Sequence, residues 1–180
     1  GGRRCTDRRS LAHRLGDRSR GRYVHLRDGT PAGIDERWVA GDVGGGAVRI
    51  RSTRVSASPA SKLEVDVRLS GSASSAVLRW TGSGDGVVRA ATVECVALDG
   101  RVQVRRVVDG VEHEPVLVDG PLVLPALVLS GRLCGGAASA FVVGDATDAS
   151  SFLVPVPVEV AVDDGRPADD PALPGARTVR

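Results

Sequence analysis

The seven residues Leu63-Glu64-Val65-Asp66-Val67-Arg68-Leu69 decide how the rest of the chain is read. Leucine or valine holds every odd position, and Glu64, Asp66 and Arg68 hold the even ones. An extended strand sends successive side chains to opposite faces, so this segment has one apolar and one charged face and predicts a half-buried strand. The alternation recurs further along. Val102, Val104 and Val108 share a parity that Arg106 breaks, with Gln103 and Arg105 opposite. Val154, Val156, Val158, Val160 and Val162 share another, with Pro155 and Pro157 between them. Proline cannot donate to a ladder, which puts this last strand at a sheet edge.

Asp-Gly pairs separate such segments at 28–29, 85–86, 99–100, 109–110, 119–120 and 164–165. Both residues tolerate the positive φ of tight hairpin turns, and the ten-residue rhythm at 99, 109 and 119 predicts an antiparallel meander. Strands are expected near 22–27, 34–40, 47–56, 63–69, 76–81, 87–98, 101–108, 111–118, 139–143 and 152–162. Loops are expected at 41–46 and 70–75. One helix is expected at 125–134, where Pro125 suits a first helical position and Gly135-Gly136 a stop. Its residues Ala126, Leu127, Val128, Leu129 and Leu133 are apolar nearly all round, so it should be buried. The expected fold is all-β with that one helix: a curved antiparallel sheet of about eight to ten strands, a half-barrel β-roll around the helix. A β-sandwich is the alternative. Residues 22–163 read as the single domain, 1–21 as a basic, disordered arm and 164–180 as a Pro- and Asp-rich flexible tail.

Composition narrows the function. The chain has 180 residues, 42% of them hydrophobic, which fits one folded domain. It holds 29 Val against two Ile, 23 Arg against one Lys, and no Met or Asn, the usage of a GC-rich bacterial genome. Arginine richness is therefore a weak guide to function. Eight Arg and two Asp lie in residues 1–22, so this arm carries +6 and the remainder −4 within a net charge of +2. No aromatic interleaves those arginines and the remainder has no basic excess, so nucleic acid is not expected as a partner. The apolar run 122–129 is broken by Pro125 and falls short of the roughly 20 residues a membrane-spanning helix needs.

Chemical constellations are sparse. Cys5, Cys95 and Cys134 have no metal spacing; buried free thiols are expected, with a Cys95–Cys134 bridge as the alternative. Alternation puts Tyr23, His25 and Arg27 on one strand face, which lines a cleft or faces solvent. His113 sits between Glu112 and Glu114, which a strand turns away from the imidazole, and His13 belongs to the arm, so no metal site is expected. Gly82-Ser83-Gly84-Asp85-Gly86 reads as a hairpin loop, because no helix follows as a nucleophile elbow or phosphate loop requires. Glu36, Glu64, Asp66, Glu94 and Glu159 alternate out of strands, with Arg105 or Arg106 as a cross-strand partner for Glu94. No enzyme class and no cofactor are supported.

The aromatics carry the remaining idea. Trp38 and Trp80, with Tyr23, Phe141 and Phe152, either pack the core or line an apolar groove beneath the sheet. The order of elements, from Tyr23 through Asp28-Gly29-Thr30-Pro31-Ala32-Gly33 and Glu36-Arg37-Trp38 to the Pro125-led apolar segment, resembles the spiral β-roll proteins. These include bacterial families named for glycolipid binding and, more distantly, the LolA- and LolB-type lipoprotein carriers. The resemblance implies a sheet wrapped around helical segments with acyl chains held in the concavity, and it transfers no site residues. The expected function is non-enzymatic binding of a lipid or other amphipathic ligand, with Tyr23, Trp38, Trp80, Leu127 and Phe141 as lining. The alternative is a protein-interaction domain with a filled core.

Overall fold

The computed structural model describes residues 20–28, 30–58, 60–70, 73–84, 87–98, 100–120, 122–124, 136–142, 152–160, 162–167 and 177–179. Eight consecutive strands form one antiparallel sheet in simple order: β1 (Arg20–Arg27), β2 (Thr30–Asp42), β3 (Ala47–Ala57), β4 (Ala60–Ser70), β5 (Ala73–Gly84), β6 (Val87–Leu98), β7 (Arg101–Val108) and β8 (Val111–Asp119). The sheet is not closed, since β1 and β8 each pair with one neighbour. A three-stranded sheet follows, with β10 (Gly136–Val142) between β9 (Leu122–Val123), which is parallel to it, and antiparallel β11 (Val154–Val160). β12 (Val162–Pro167) and β13 (Arg177–Val179) pair as a two-stranded sheet. The strand carrying Pro155 and Pro157 is an edge, as its prolines require.

The alternation of 63–69 sets the core. Leu63, Val65 and Val67 are buried, while Glu64 and Arg68 face solvent. Register carries that parity across the sheet in rows. One row runs Trp38, Ser52, Val65, Leu78, Val93, Arg106 and His113. A second runs Ala40, Ile50, Val67, Ala76, Cys95, Val104 and Val116. Leu122 in β9, Leu124 just after it, and Phe152 and Leu153 before β11 belong to the same buried cluster, with Phe141 packed against it. The described cover of the sheet is thus strand and turn. Burying each such aliphatic or aromatic side chain contributes roughly 1.5–3 kcal/mol.

Several expectations change. No helix occurs among the described residues, and the expected helix at 125–134 lies outside them. The two expected loops are each partly ladder. Gly41 and Asp42 continue β2 opposite Arg49 and Val48, and the reversal is left to Gly44, Gly45 and Gly46 at φ 88°, 61° and 74°. Asp42 Oδ1 accepts the Gly44 N–H at 2.7 Å, an Asx turn. Likewise Ser70 pairs with Ala73 and Leu69 with Ser74, because cross-strand pairing overrides a Ser- and Gly-rich composition.

Asp109 and Gly110, both at positive φ (51° and 80°), form the two-residue turn between β7 and β8, as their identity predicts. Asp119-Gly120 instead ends the meander, since the next strand pairs with β10 rather than β8. Asp164-Gly165 lies within β12, at an irregularity between Val162 and Pro167 rather than in a turn, and so turns part of the expected tail into strand.

Both tryptophans lie over glycines. A Cβ on Gly82 would stand 2.3 Å from Trp80 ring carbons, and one on Gly21 would stand 2.5 Å from Trp38 Nε1. Gly82→Ala should therefore lower stability by about 1–3 kcal/mol, the usual cost of overpacking. Gly41→Ala, whose Cβ meets nothing within 4 Å, should leave stability unchanged or raise it by roughly 0.5 kcal/mol. Urea denaturation followed by tryptophan fluorescence measures both, and a Gly82→Ala midpoint at or above wild type would refute the packing account.

Candidate functional site

The buried face is not uniformly apolar. Period two in β7 turns Val102, Val104, Arg106 and Val108 inward together, and Arg106 is only 5% exposed. Its Nη1 donates to the Phe152 carbonyl oxygen at 2.8 Å, across 46 residues of chain. Burial pushes the Arg106 guanidinium below its ordinary pKa, because the charged form loses hydration. The break in parity visible in the sequence is thus the point where the sheet grips the segment that covers it.

Phe152 is the centre of a cluster. Its ring meets Trp80 edge to face, with centroids 4.7 Å apart and planes at 68°. The Arg89 guanidinium stands 5.2 Å from the ring centroid, a cation–π contact. Arg89 comes from β6 directly opposite Gly82, the glycine beneath Trp80, so the missing side chain there makes room for the stack. Asp109 anchors Arg89 from the β7–β8 turn. Its Oδ2 accepts from Arg89 Nε at 2.9 Å, and its Oδ1 accepts the Ala90 N–H at 3.0 Å. Arg89 Nη1 is buried and has no hydrogen-bond partner in the structure.

The residue after Phe152 is strained. Leu153 is fully buried at φ 53°, the left-handed region, which costs a branched side chain roughly 1–2 kcal/mol. Phe152 and Leu153 are thus pressed onto the face in a conformation that only the surrounding contacts hold.

A second polar point lies towards β1. Glu36 shares the inward parity of Trp38 and Ala40 and is 2% exposed, contrary to the expectation that it alternates outward. His25 Nε2 lies 3.6 Å from Glu36 Oε2, so His25 takes the buried side rather than the solvent side. The expected carboxylates Glu64, Glu94 and Glu159 are exposed. Glu94 faces Arg105, but Arg105 Nη2 donates to Glu112 Oε1 at 2.9 Å, which with the charge of Glu94 holds the guanidinium above its ordinary pKa.

Of the expected lining residues, Trp38 and Trp80 are buried in the core and Phe141 is half-buried against it. Tyr23 stands opposite Glu36 in register, and Leu127 lies outside the described residues. The cluster also uses Arg106, expected as a partner for Glu94, Phe152, expected in the core or a groove, and Arg89, which the sequence reading did not single out. Among the described residues no three His, Cys, Asp or Glu converge as a metal site, and no helix is long and apolar enough to cross a membrane. A depression of about 480 Å³ lies on the opposite, charged face, rimmed by Arg37, Arg49, Arg51 and Arg79 with Glu64 and Asp66. Compared with family models, curated proteins and solved structures, the chain matches none.

Two measurements check this electrostatic picture. The Ala90 N–H, then Arg89, hold the Asp109 carboxyl below its ordinary 3.8, and Arg49 does the same for Asp66. A carboxylate whose folded pKa is depressed contributes stability fully above its unfolded pKa and loses it as pH falls through the folded one. Stability should therefore decline below about pH 4, and Asp109→Asn should flatten that decline in urea titrations between pH 7 and 2; an unchanged acid slope would contradict the assignment. Cys95 is a free thiol, 3% exposed, and burial pushes its pKa to about 12. It should resist a thiol reagent at pH 8 until urea unfolds the chain, and prompt labelling of Cys95 in the native protein, located by peptide mapping, would contradict its burial.

Proposed function

We propose that this protein binds a lipid or other amphipathic ligand without chemical turnover, between the apolar face of the eight-stranded sheet and the segment that covers it. In this reading the sheet curves as a spiral β-roll does, and the apolar 125–134 segment supplies a helix that helps close the concavity. The observation that carries the proposal is the composition of the face: aliphatic rows with Trp38 and Trp80, interrupted by the buried guanidinium of Arg106 and the largely buried one of Arg89. An amphipathic molecule needs that combination, apolar area for its chain and a fixed polar contact for its head. Burial of acyl surface would supply affinity at roughly 0.8 kcal/mol per methylene.

A protein-interaction domain with a filled core is the second reading. Phe152, Leu153, Leu122 and Leu124 favour it, because they already occupy the buried face. Native mass spectrometry of the full chain purified from lipid-containing cells separates the two. A stoichiometric adduct of lipid mass is expected. A bare mass that persists after incubation with mixed lipids would overturn the binding proposal and leave the interaction domain.

A further inference from the structure

The depression of about 480 Å³ on the outer face of the sheet holds more positive charge than its own carboxylates neutralise. Four guanidinium groups line it, from Arg37 on β2, Arg49 and Arg51 on β3 and Arg79 on β5. Only Glu64 and Asp66, both on β4, oppose them, which leaves an excess of +2. Those two carboxylates are already engaged. Asp66 accepts from Arg49 Nε at 2.9 Å and from its Nη2, and Glu64 Oε1 lies 2.9 Å from Lys62 Nζ. Arg37 Nε stands 3.8 Å from Asp35, whose other oxygen accepts from Arg22 Nε at 2.7 Å. Arg51 and Arg79 are exposed and make no hydrogen bond or ion pair among the described residues. In register Asp66 faces Arg51 and Glu64 faces Arg79, yet each carboxylate takes a different cation. Arg68, also exposed, stands directly opposite Arg49, and like charges so placed repel. The excess is felt inside the depression, where Arg49 first, then Arg51 and Arg79, hold the Asp66 carboxyl below its ordinary pKa.

Independently of any ligand on the buried face, we propose that this depression is a second site, which binds a chain of phosphate groups with one end on Arg51 and the other on Arg79. A concavity with an excess of one sign concentrates counter-ions. Guanidinium suits phosphate in particular, because two parallel N–H groups meet two of its oxygens at once. The chain length follows from the sheet. With β4 between them, β3 and β5 lie two strand spacings apart, roughly 9–10 Å. A single phosphate pairs fully with one of the two arginines. An oligophosphate carries an oxyanion to each, and once the first end is bound the second contact is intramolecular. Arg49 and Lys62, already on Asp66 and Glu64, screen those carboxylates from the phosphates that pass over β4. The same phosphate chain occurs free or as the tail of a nucleotide.

The test is isothermal titration calorimetry of the full chain with three probes: tripolyphosphate, orthophosphate and ATP. It is run at about 0.15 M salt, where exposed charges more than about 8 Å apart are largely screened. Tripolyphosphate should bind, and orthophosphate should bind about ten-fold more weakly or less, because it makes one contact rather than two. Arg51→Gln and Arg79→Gln should each weaken tripolyphosphate about five-fold, the loss of one charge-assisted contact at an exposed site. Arg101→Gln removes the same charge beside Asp119, outside the depression, and should change affinity less than about two-fold. All three arginines are exposed, so the fold tolerates their replacement. ATP binding as tight as that of tripolyphosphate would support the site and assign it to a nucleotide's phosphate tail; much weaker binding of ATP would support it and assign it to free oligophosphate. Equal affinity for orthophosphate and tripolyphosphate would overturn the two-ended contact. Affinity unchanged in both Arg51→Gln and Arg79→Gln, or lowered equally by Arg101→Gln, would assign binding to general charge, including the arginines of residues 1–22, and overturn the site. Absence of tripolyphosphate binding at millimolar concentration would overturn it outright, and each of these results leaves the amphipathic reading of the buried face standing.

Discussion

Everything above the sheet depends on one buried guanidinium finding an acceptor. Strand periodicity leaves Arg106 no choice of side: with Val104 and Val108 facing inward, so must the residue between them. A buried cation is tolerable only if its donors are satisfied, and a carbonyl from the covering segment meets Nη1. That bond fixes where residue 152 sits, and the rest follows by packing. The Phe152 ring reaches Trp80, Trp80 can lie flat because position 82 has no side chain, and Arg89 stands over the Phe152 ring under restraint from Asp109. Replacing any one of these groups alters the fit of its neighbours, so their effects should not be additive.

Alternation made the main sheet legible. β6 and β7 fall on the expected residues, and β3, β8 and β1 differ from expectation only at their ends. The interruptions were not legible, because a bulge changes parity without leaving a mark in composition. Between Val104 and Arg106 the ladder advances two residues on β7 but three on β8, from His113 to Val116. The extra residue at Glu114-Pro115 moves the half-buried parity from His113 to Val116 and Val118. A larger irregularity opposes Val24–Leu26 to Asp35–Pro31 and contains Gly33 at φ 71°. The inward turn of His25 falls within that irregularity, which local sequence does not encode, whereas Glu36 follows the parity of Trp38 and Ala40.

The candidate site was legible only in outline. Trp38 and Trp80 read as core or groove residues, and Arg106 stands out as a charge among valines. What the charge was for depended on a partner 46 residues away whose contribution is a main-chain carbonyl, an atom that every residue carries. No residue type signals such a bond. The left-handed backbone at Leu153 is equally hidden, since leucine is among the residues least suited to it.

The two faces of the sheet use arginine in opposite ways. On the outer face Arg49 binds Asp66 through two nitrogens, Arg22 binds Asp35 at 2.7 Å, and Arg101 reaches Asp119 at 3.1 Å, all in contact with water. Such exposed pairs are worth little and are freely exchanged for solvent, as on the polar side of any half-buried sheet. Inside, two guanidinium groups are organised around a single phenylalanine, one of them given a neutral oxygen and burdened by desolvation. A fold seeking stability alone would have done at least as well with apolar residues of similar volume at positions 89 and 106. Removing one partner of such a contact leaves the other buried and unsatisfied, so the arginines hold the covering segment in place rather than add net stability.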